Sequence, residues 1–164
     1  MLDVLHRLEE ELPAMLRDAA GWQSVLVNYH PPRVERLWRQ WGQYRIYLHR
    51  IAPCRPEEAL FHPHPWPSAM RVISGTYEMA VGYGSGEQLP PVAARIILGA
   101  GSQYEMTDIN GWHSVRPIDE PTLSVMVTGT PWNRPSPKSD KPLLPLGDVE
   151  KVELLSLFAQ YYNG

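Results

Sequence analysis

The chain is poor in several residue types. It holds a single cysteine, Cys54, in 164 residues. That excludes an intrachain disulfide framework and a zinc site built from cysteines, and a reducing cytoplasm is the compartment expected. Phenylalanine occurs twice, and lysine only at Lys138, Lys141 and Lys151. The formal net charge is −3, which gives no basic field to attract a nucleic acid. No apolar run is long enough to span a bilayer. The start Met1-Leu2-Asp3-Val4-Leu5-His6 carries an early acid and no apolar signal core. Neither a nucleic-acid nor a membrane partner is therefore expected.

Proline is plentiful, at 17 residues, and tryptophan numbers 6. Many prolines in a chain without low complexity mean short elements broken by turns. That favours an all-β design over a helical bundle. Two stretches depart from it. Leu2, Leu5, Leu8, Leu12 and Leu16 recur at helical spacing, so the spacing predicts a helix over residues 1–20, ended by Gly21. Val34, Leu37, Trp38 and Trp41 also share a helical stripe, which predicts a second, short helix over residues 32–41.

From Tyr44 the period changes to two. Strands are predicted at Tyr44–Ile51, Leu60–His64, Met70–Ser74, Tyr77–Tyr83, Ala93–Leu98, Ser102–Met106, Trp112–Pro117 and Thr122–Thr128. Glycine, proline and asparagine turns separate them. About eight short strands at even spacing mean a sandwich or a closed barrel. Residues 131–145 read as an irregular surface arm. Asp148 is then expected to cap a last helix with Val149, Val152, Leu155, Phe158 and Ala159 on one side. The organisation expected is a helical segment over 1–43, a β-barrel over 44–130, and an arm with a terminal helix over 131–164. The terminal helices would pack outside the sheets or make a homodimer contact through Leu154, Leu155, Leu157 and Phe158.

The chemistry concentrates in Phe61-His62-Pro63-His64-Pro65-Trp66-Pro67. Two histidines two apart on a strand face one way, so their rings can converge on a metal; the alternative is a structural pair. His113 opens a later strand after the Asn110-Gly111 turn and could reach the same interior. In the strand at 44–51, Ile46 and Leu48 lie on one face and Arg45, Tyr47 and His49 on the other. Either the polar face lines the barrel, with Arg45 presented to an anion, or the apolar face is core and the polar one outside. Trp66 and Trp112 flank the histidines and could wall an apolar pocket, or pack at the rim.

The frame around His62, His64 and Gly75, followed by a turn leading to His113, resembles the cupin superfamily over residues 44–130. The first cupin motif carries an HxH pair, then a glutamate and a glycine; the second is a turn leading to a lone histidine. The resemblance implies an all-β cupin-type double-stranded β-helix, a jelly-roll barrel, here with helices at both ends. It implies a divalent metal on His62, His64 and His113, with Tyr104, Ser68 and the residues above lining a substrate pocket.

The departures are specific. Ser68 stands where the glutamate ligand is usual, Pro53, Cys54 and Pro56 occupy the approach where a glycine is usual, Asn110 replaces a turn glycine, and Pro117 an asparagine. Glu78, Glu105 and Asp108 are the acids that could substitute for the missing carboxylate, and His49 could add a fourth imidazole. Some cupin oxygenases, including thiol dioxygenases, use three histidines, and the resemblance to that branch is partial because Ser68 cannot form its cysteine–tyrosine crosslink. A neutral triad implies a small, anionic, chelating substrate. The leading expectation is an Fe(II) oxygenase. The others are a non-oxidative enzyme of Zn, Ni or Mn and a binding protein without catalysis.

Overall fold

The computed structural model describes residues 1–86 and 88–162. Helix α1 (Leu2–Leu16) is followed by a 3-10 turn (Ala19–Gly21) and ten strands. These are β1 (Gln23–Val27), β2 (Val34–Trp41), β3 (Tyr44–Ile51), β4 (His62–Pro63), β5 (Ser68–Ser74), β6 (Thr76–Tyr83), β7 (Val92–Gly99), β8 (Gln103–Met106), β9 (Gly111–Pro117) and β10 (Thr122–Thr128). Helix α2 (Asp148–Tyr162) closes the chain. The strands form two antiparallel sheets, in the orders β1-β2-β3-β10-β5-β8 and β4-β9-β6-β7. This is an all-β jelly roll of cupin type with a helix near each end. No helix among the described residues is long and apolar enough to cross a membrane.

The larger sheet is covered on both faces. Leu5, Leu8 and Leu12 of α1 are fully buried against Ile46, Leu48, Val125 and Val127, together with Leu154, Leu155 and Phe158 of α2. Burying each of those leucines contributes roughly 1.5–3 kcal/mol. On the opposite face Tyr47, Met70, Val72 and Met126 meet Tyr77 and Met79 of the smaller sheet. Alternation along β3 and β10 therefore sorts residues between a helix-facing core and the barrel interior, not between core and water. Both alternatives open for β3 hold in part: Ile46 and Leu48 are core, and Tyr47 and His49 point inward.

Residues 32–41 correct the sequence reading. They form strand β2, not a helix, and β1 before it adds a further unpredicted strand. Val34, Leu37, Trp38 and Trp41 lie at spacings of three and four, which helices and doubly buried strands can both produce. In β2 they divide between faces: Trp38 packs toward the barrel interior, Leu37 and Trp41 toward the helices. Because both faces are buried, the period-two signal cancels.

Two smaller corrections concern the helices. Helix α1 ends at Leu16, and Gly21 ends the 3-10 turn instead. In α2, Val149 and Val152 are exposed, and the buried side is Leu154, Leu155 and Phe158. Those three residues are consumed by contacts with α1 and the sheet of the same chain. They offer no surface to a second copy. The first turn of α2 is closed by Glu150, whose carboxylate accepts from the Gly147 N–H at 2.8 Å.

Candidate metal and ligand site

Register brings the three histidines together. His62 of β4 and His113 of β9 are direct cross-strand partners. His64 lies one residue beyond β4 and continues the ladder, its N–H donating to the Gly111 carbonyl at 3.1 Å. The ring centres of His62 and His113 are 4.8 Å apart, and those of His64 and His113 4.7 Å. Imidazoles that radiate from one ion, each nitrogen ~2.1 Å away, hold their ring centres roughly 4.5–5 Å apart.

The hydrogen bonds fix tautomers. His62 Nδ1 lies 2.9 Å from the Leu60 carbonyl, and His64 Nδ1 lies 2.9 Å from the Trp66 carbonyl. A carbonyl only accepts, so in both rings Nδ1 carries the proton and donates it. The lone pair is left on Nε2, which is how a ligating histidine is commonly oriented. Burial lowers the pKa of each to about 4, more than the carbonyl contacts raise it. His113 is pushed well below the ordinary imidazole range by burial first, then by His64 and His62. All three rings are therefore neutral at pH 7, the form that binds metals.

The chelate is not finished. Among the described residues, no three His, Cys, Asp or Glu side chains form a ready metal-binding group. The rings are gathered, but His113 Nδ1 is buried without a hydrogen-bond partner. A turn of that ring about its Cβ–Cγ bond breaks no hydrogen bond at this nitrogen. An orphaned buried nitrogen between two oriented imidazoles is chemically suited to a divalent ion.

The histidines open onto a cavity of about 440 Å³ between the sheets. His49, Trp66 and Met70 line it. The other pocket candidates lie elsewhere. Arg45 is exposed at the start of β3, its guanidinium 4.7 Å from the ring centre of Trp38. Tyr47 stands behind the wall, stacked on His49 at 5.8 Å and on Trp66 at 6.4 Å. Ser68 is buried beside His64, its Oγ 3.3 Å from Nδ1, the nitrogen facing away from the ligand side. Tyr104 donates to the Met70 sulfur at 3.0 Å and accepts from Tyr77 at 3.1 Å, and burial pushes its pKa up to about 12. Trp112 is turned outward, donating to the Gly84 carbonyl at 2.9 Å.

The alternative acids are not in the cavity. Glu105 accepts from the Leu2 N–H at 2.9 Å at the start of α1, and Glu78 pairs with Arg95 at 3.0 Å. Asp108 accepts from the Asn110 N–H within its own turn. Nor is His49 a free fourth ligand, because its Nε2 accepts from Arg36 Nε at 3.0 Å.

Three features escaped sequence reasoning. Arg36, hidden in the misread β2, takes the inward place expected of Arg45. His30 lines the mouth. The arm at 131–145 is a structural part of the site. Trp132 N–H donates to the Pro65 carbonyl at 2.8 Å, fixing the loop that carries His64 and Trp66. Leu26 N–H donates to the Leu144 carbonyl at 2.8 Å, and Tyr29 donates to the Pro137 carbonyl at 3.3 Å. The arm thereby roofs the cavity and brings Lys138 and Lys141 to its mouth. The sequence signal for Arg36 was alternation with Val34 and Trp38 on one face of a strand.

No protein-family model matches this chain, and no curated sequence does. Among solved structures it is similar to hydroxypropylphosphonic acid epoxidase from S. wedmorenis, at 12% identity and a TM-score of 0.50, over 64% of this chain and 55% of that one. A structure of FeII HppE aligns at 12% identity and a TM-score of 0.51, over the same shares. The chain thus spans little more than half the length of these structures, and at such identity the likeness is one of fold. The fold itself is the cupin-type jelly roll, its barrel interior open at the end where His62, His64 and His113 meet.

Proposed function

We propose that this protein is a metal-binding cupin acting on a small anionic molecule, with one divalent ion, Fe(II) foremost, on His62, His64 and His113. The observation that carries this reading is the pair of backbone-anchored Nδ1 protons on His62 and His64, which leaves two Nε2 lone pairs beside the unpartnered His113. When bound, the ion supplies Lewis-acid polarisation of a chelating substrate and, as Fe(II), oxidation by dioxygen. The chain's own contributions are orientation and exclusion of water. The carbonyls of Leu60 and Trp66 fix two rings, Trp66 forms one wall, and the arm covers the mouth. Zn, Ni or Mn on the same residues defines the non-oxidative version of this reading.

A second reading is a ligand-binding cupin without catalysis. It is favoured by the unfinished chelate and by the lack, among the described residues, of any Asp or Glu lining the cavity to act as a general base. Elemental analysis of tag-free protein separates the two. About one equivalent of Fe, Zn, Ni or Mn, lost in His62→Ala and in His113→Ala, supports the metal reading. Substrate-dependent oxygen uptake after anaerobic Fe(II) loading then selects the oxygenase. A metal content near zero that added Fe(II), Zn(II), Ni(II) or Mn(II) does not raise leaves the binding protein.

A further inference from the structure

A cavity wall that holds a guanidinium normally answers it with a carboxylate, because an unpaired buried charge is costly. This one does not. Arg36 lines the cavity and forms no ion pair among the described residues. Its neighbour Glu35 shows the contrast. On the opposite parity of β2, Glu35 is buried and takes both Arg33, at 2.7 Å, and Arg50. Arg36 spends one nitrogen, Nε, on His49 Nε2. Its carbon Cζ lies 5.1 Å from the ring centre of Tyr47, which is itself stacked on His49 and Trp66. The guanidinium is thus packed beside an aromatic stack, and among the described residues neither terminal nitrogen has a protein acceptor.

A second donor in the same wall is also unanswered. His49 Nε2 accepts from Arg36, so in the neutral ring the proton lies on Nδ1, and that buried nitrogen has no partner. Lys138 and Lys141 add positive charge at the mouth, and among the described residues no carboxylate lines the cavity. On its β2–β3 side the wall thus presents two donors that no described side chain answers.

We propose that Arg36 is the specificity-determining residue of this cavity and binds the oxyanion head of its ligand, a carboxylate, phosphonate or sulfonate, on the free edge of its guanidinium. His49 is the positioning residue, holding the fork through Nε. The proposal deepens the small-molecule reading of the same cavity and does not depend on the metal. A planar fork offers two parallel donors to one oxyanion, which a lysine ammonium does not. The ligand is then oriented with its anionic head at β2–β3 and its remainder toward His62, His64 and His113.

The test is isothermal titration of the protein as purified and of the chelator-treated protein with propionate, methylphosphonate, methanesulfonate and the neutral isostere propionamide. Saturable one-site binding of at least one oxyanion, with none of the amide, is the result expected, and the strongest of the three identifies the head group. Arg36→Gln should weaken that binding tenfold to a hundredfold, and Arg36→Lys should restore only part of it. His49→Phe should weaken it several-fold, whereas His49→Gln, whose side-chain oxygen can still accept from Nε, should bind nearly as the wild type does. Lys138→Gln with Lys141→Gln should cost less than threefold.

Circular dichroism checks that each variant folds, and Arg36→Lys decides the matter if Arg36→Gln does not. Wild-type protein that binds no oxyanion at millimolar concentration, amide binding equal to oxyanion binding, or affinity indifferent to Arg36 overturns the proposal. Failure of the metal reading looks different: no metal is retained, yet oxyanion binding still depends on Arg36.

Discussion

Metal-free protein should lose stability steeply between pH 7 and pH 5, and His62 and His64 set the size of the loss. Each has its pKa lowered to about 4 by burial, against an ordinary value of 6.5 in the unfolded chain. A group whose folded pKa is depressed is neutral in the native state and takes up a proton on unfolding throughout the window between the two values. The unfolded state therefore binds more protons there, and unfolding free energy rises with pH. At pH 5 the unfolded imidazole is almost fully protonated and the native one almost not, which costs roughly 2 kcal/mol for each histidine relative to pH 7. The pair together removes about 4 kcal/mol, a large share of the ~5–15 kcal/mol that holds a domain folded. His49 and His113, lowered in the same direction, steepen the fall.

The assay is urea unfolding followed by tryptophan fluorescence at half-unit steps from pH 5 to pH 8, with chelator present. The double variant His62→Gln with His64→Gln should show a flatter dependence by about 4 kcal/mol over pH 7 to 5. Bound metal should raise the stability across this window and leave the size of the loss nearly unchanged, because the native nitrogens are already almost unprotonated at pH 5. An unfolding free energy independent of pH across this range, or a double variant with the full wild-type slope, would refute the account of these two rings as buried and neutral.

Other outcomes follow from the same packing. Leu8→Ala opens a void between α1 and the larger sheet and should cost about 2–5 kcal/mol by urea unfolding, while metal content stays at the wild-type level. Glu35→Gln leaves Arg33 and Arg50 without their shared carboxylate and should destabilise the protein by roughly 1–3 kcal/mol in the same assay. Ser68→Glu should not tighten metal binding in a chelator competition, because Ser68 Oγ sits at Nδ1 of His64, away from Nε2. Gly75→Ala should lower the melting temperature by several degrees: φ there is +78°, and a Cβ would sit 2.9 Å from Thr122 Oγ1 and 3.1 Å from the Pro121 carbonyl.

Local signals were enough for much of this molecule. Five leucines at helical spacing define α1, since an amphipathic helix on a sheet buries one stripe. The strands from Tyr44 onward are bounded by Gly, Pro and Asn turns whose backbone preferences are local. The HxH parity and the turn before His113 name the three histidines, because side-chain alternation along a strand needs no long-range knowledge.

What local pattern could not supply is which partner covers each face. The stripe at 34–41 is compatible with a helix until helices cover one side of β2 and the barrel interior lies on the other. Arg45 and Arg36 are equally plausible inward cations in one dimension. Only the pairing of Arg36 with His49 across β2 and β3 sets one in the cavity, while Arg45 sits at an exposed strand start. Glu105 and Glu78 were candidate ligands until the register of β8 and β6 carried them to α1 and to Arg95. The prolines of the arm read as surface chain, and the bonds to Pro65 and Leu26 turned that chain into the roof of the site. Periodicity reports the alternation of faces along one element; membership of a cavity is a property of several elements at once, fixed by register and by what packs behind them.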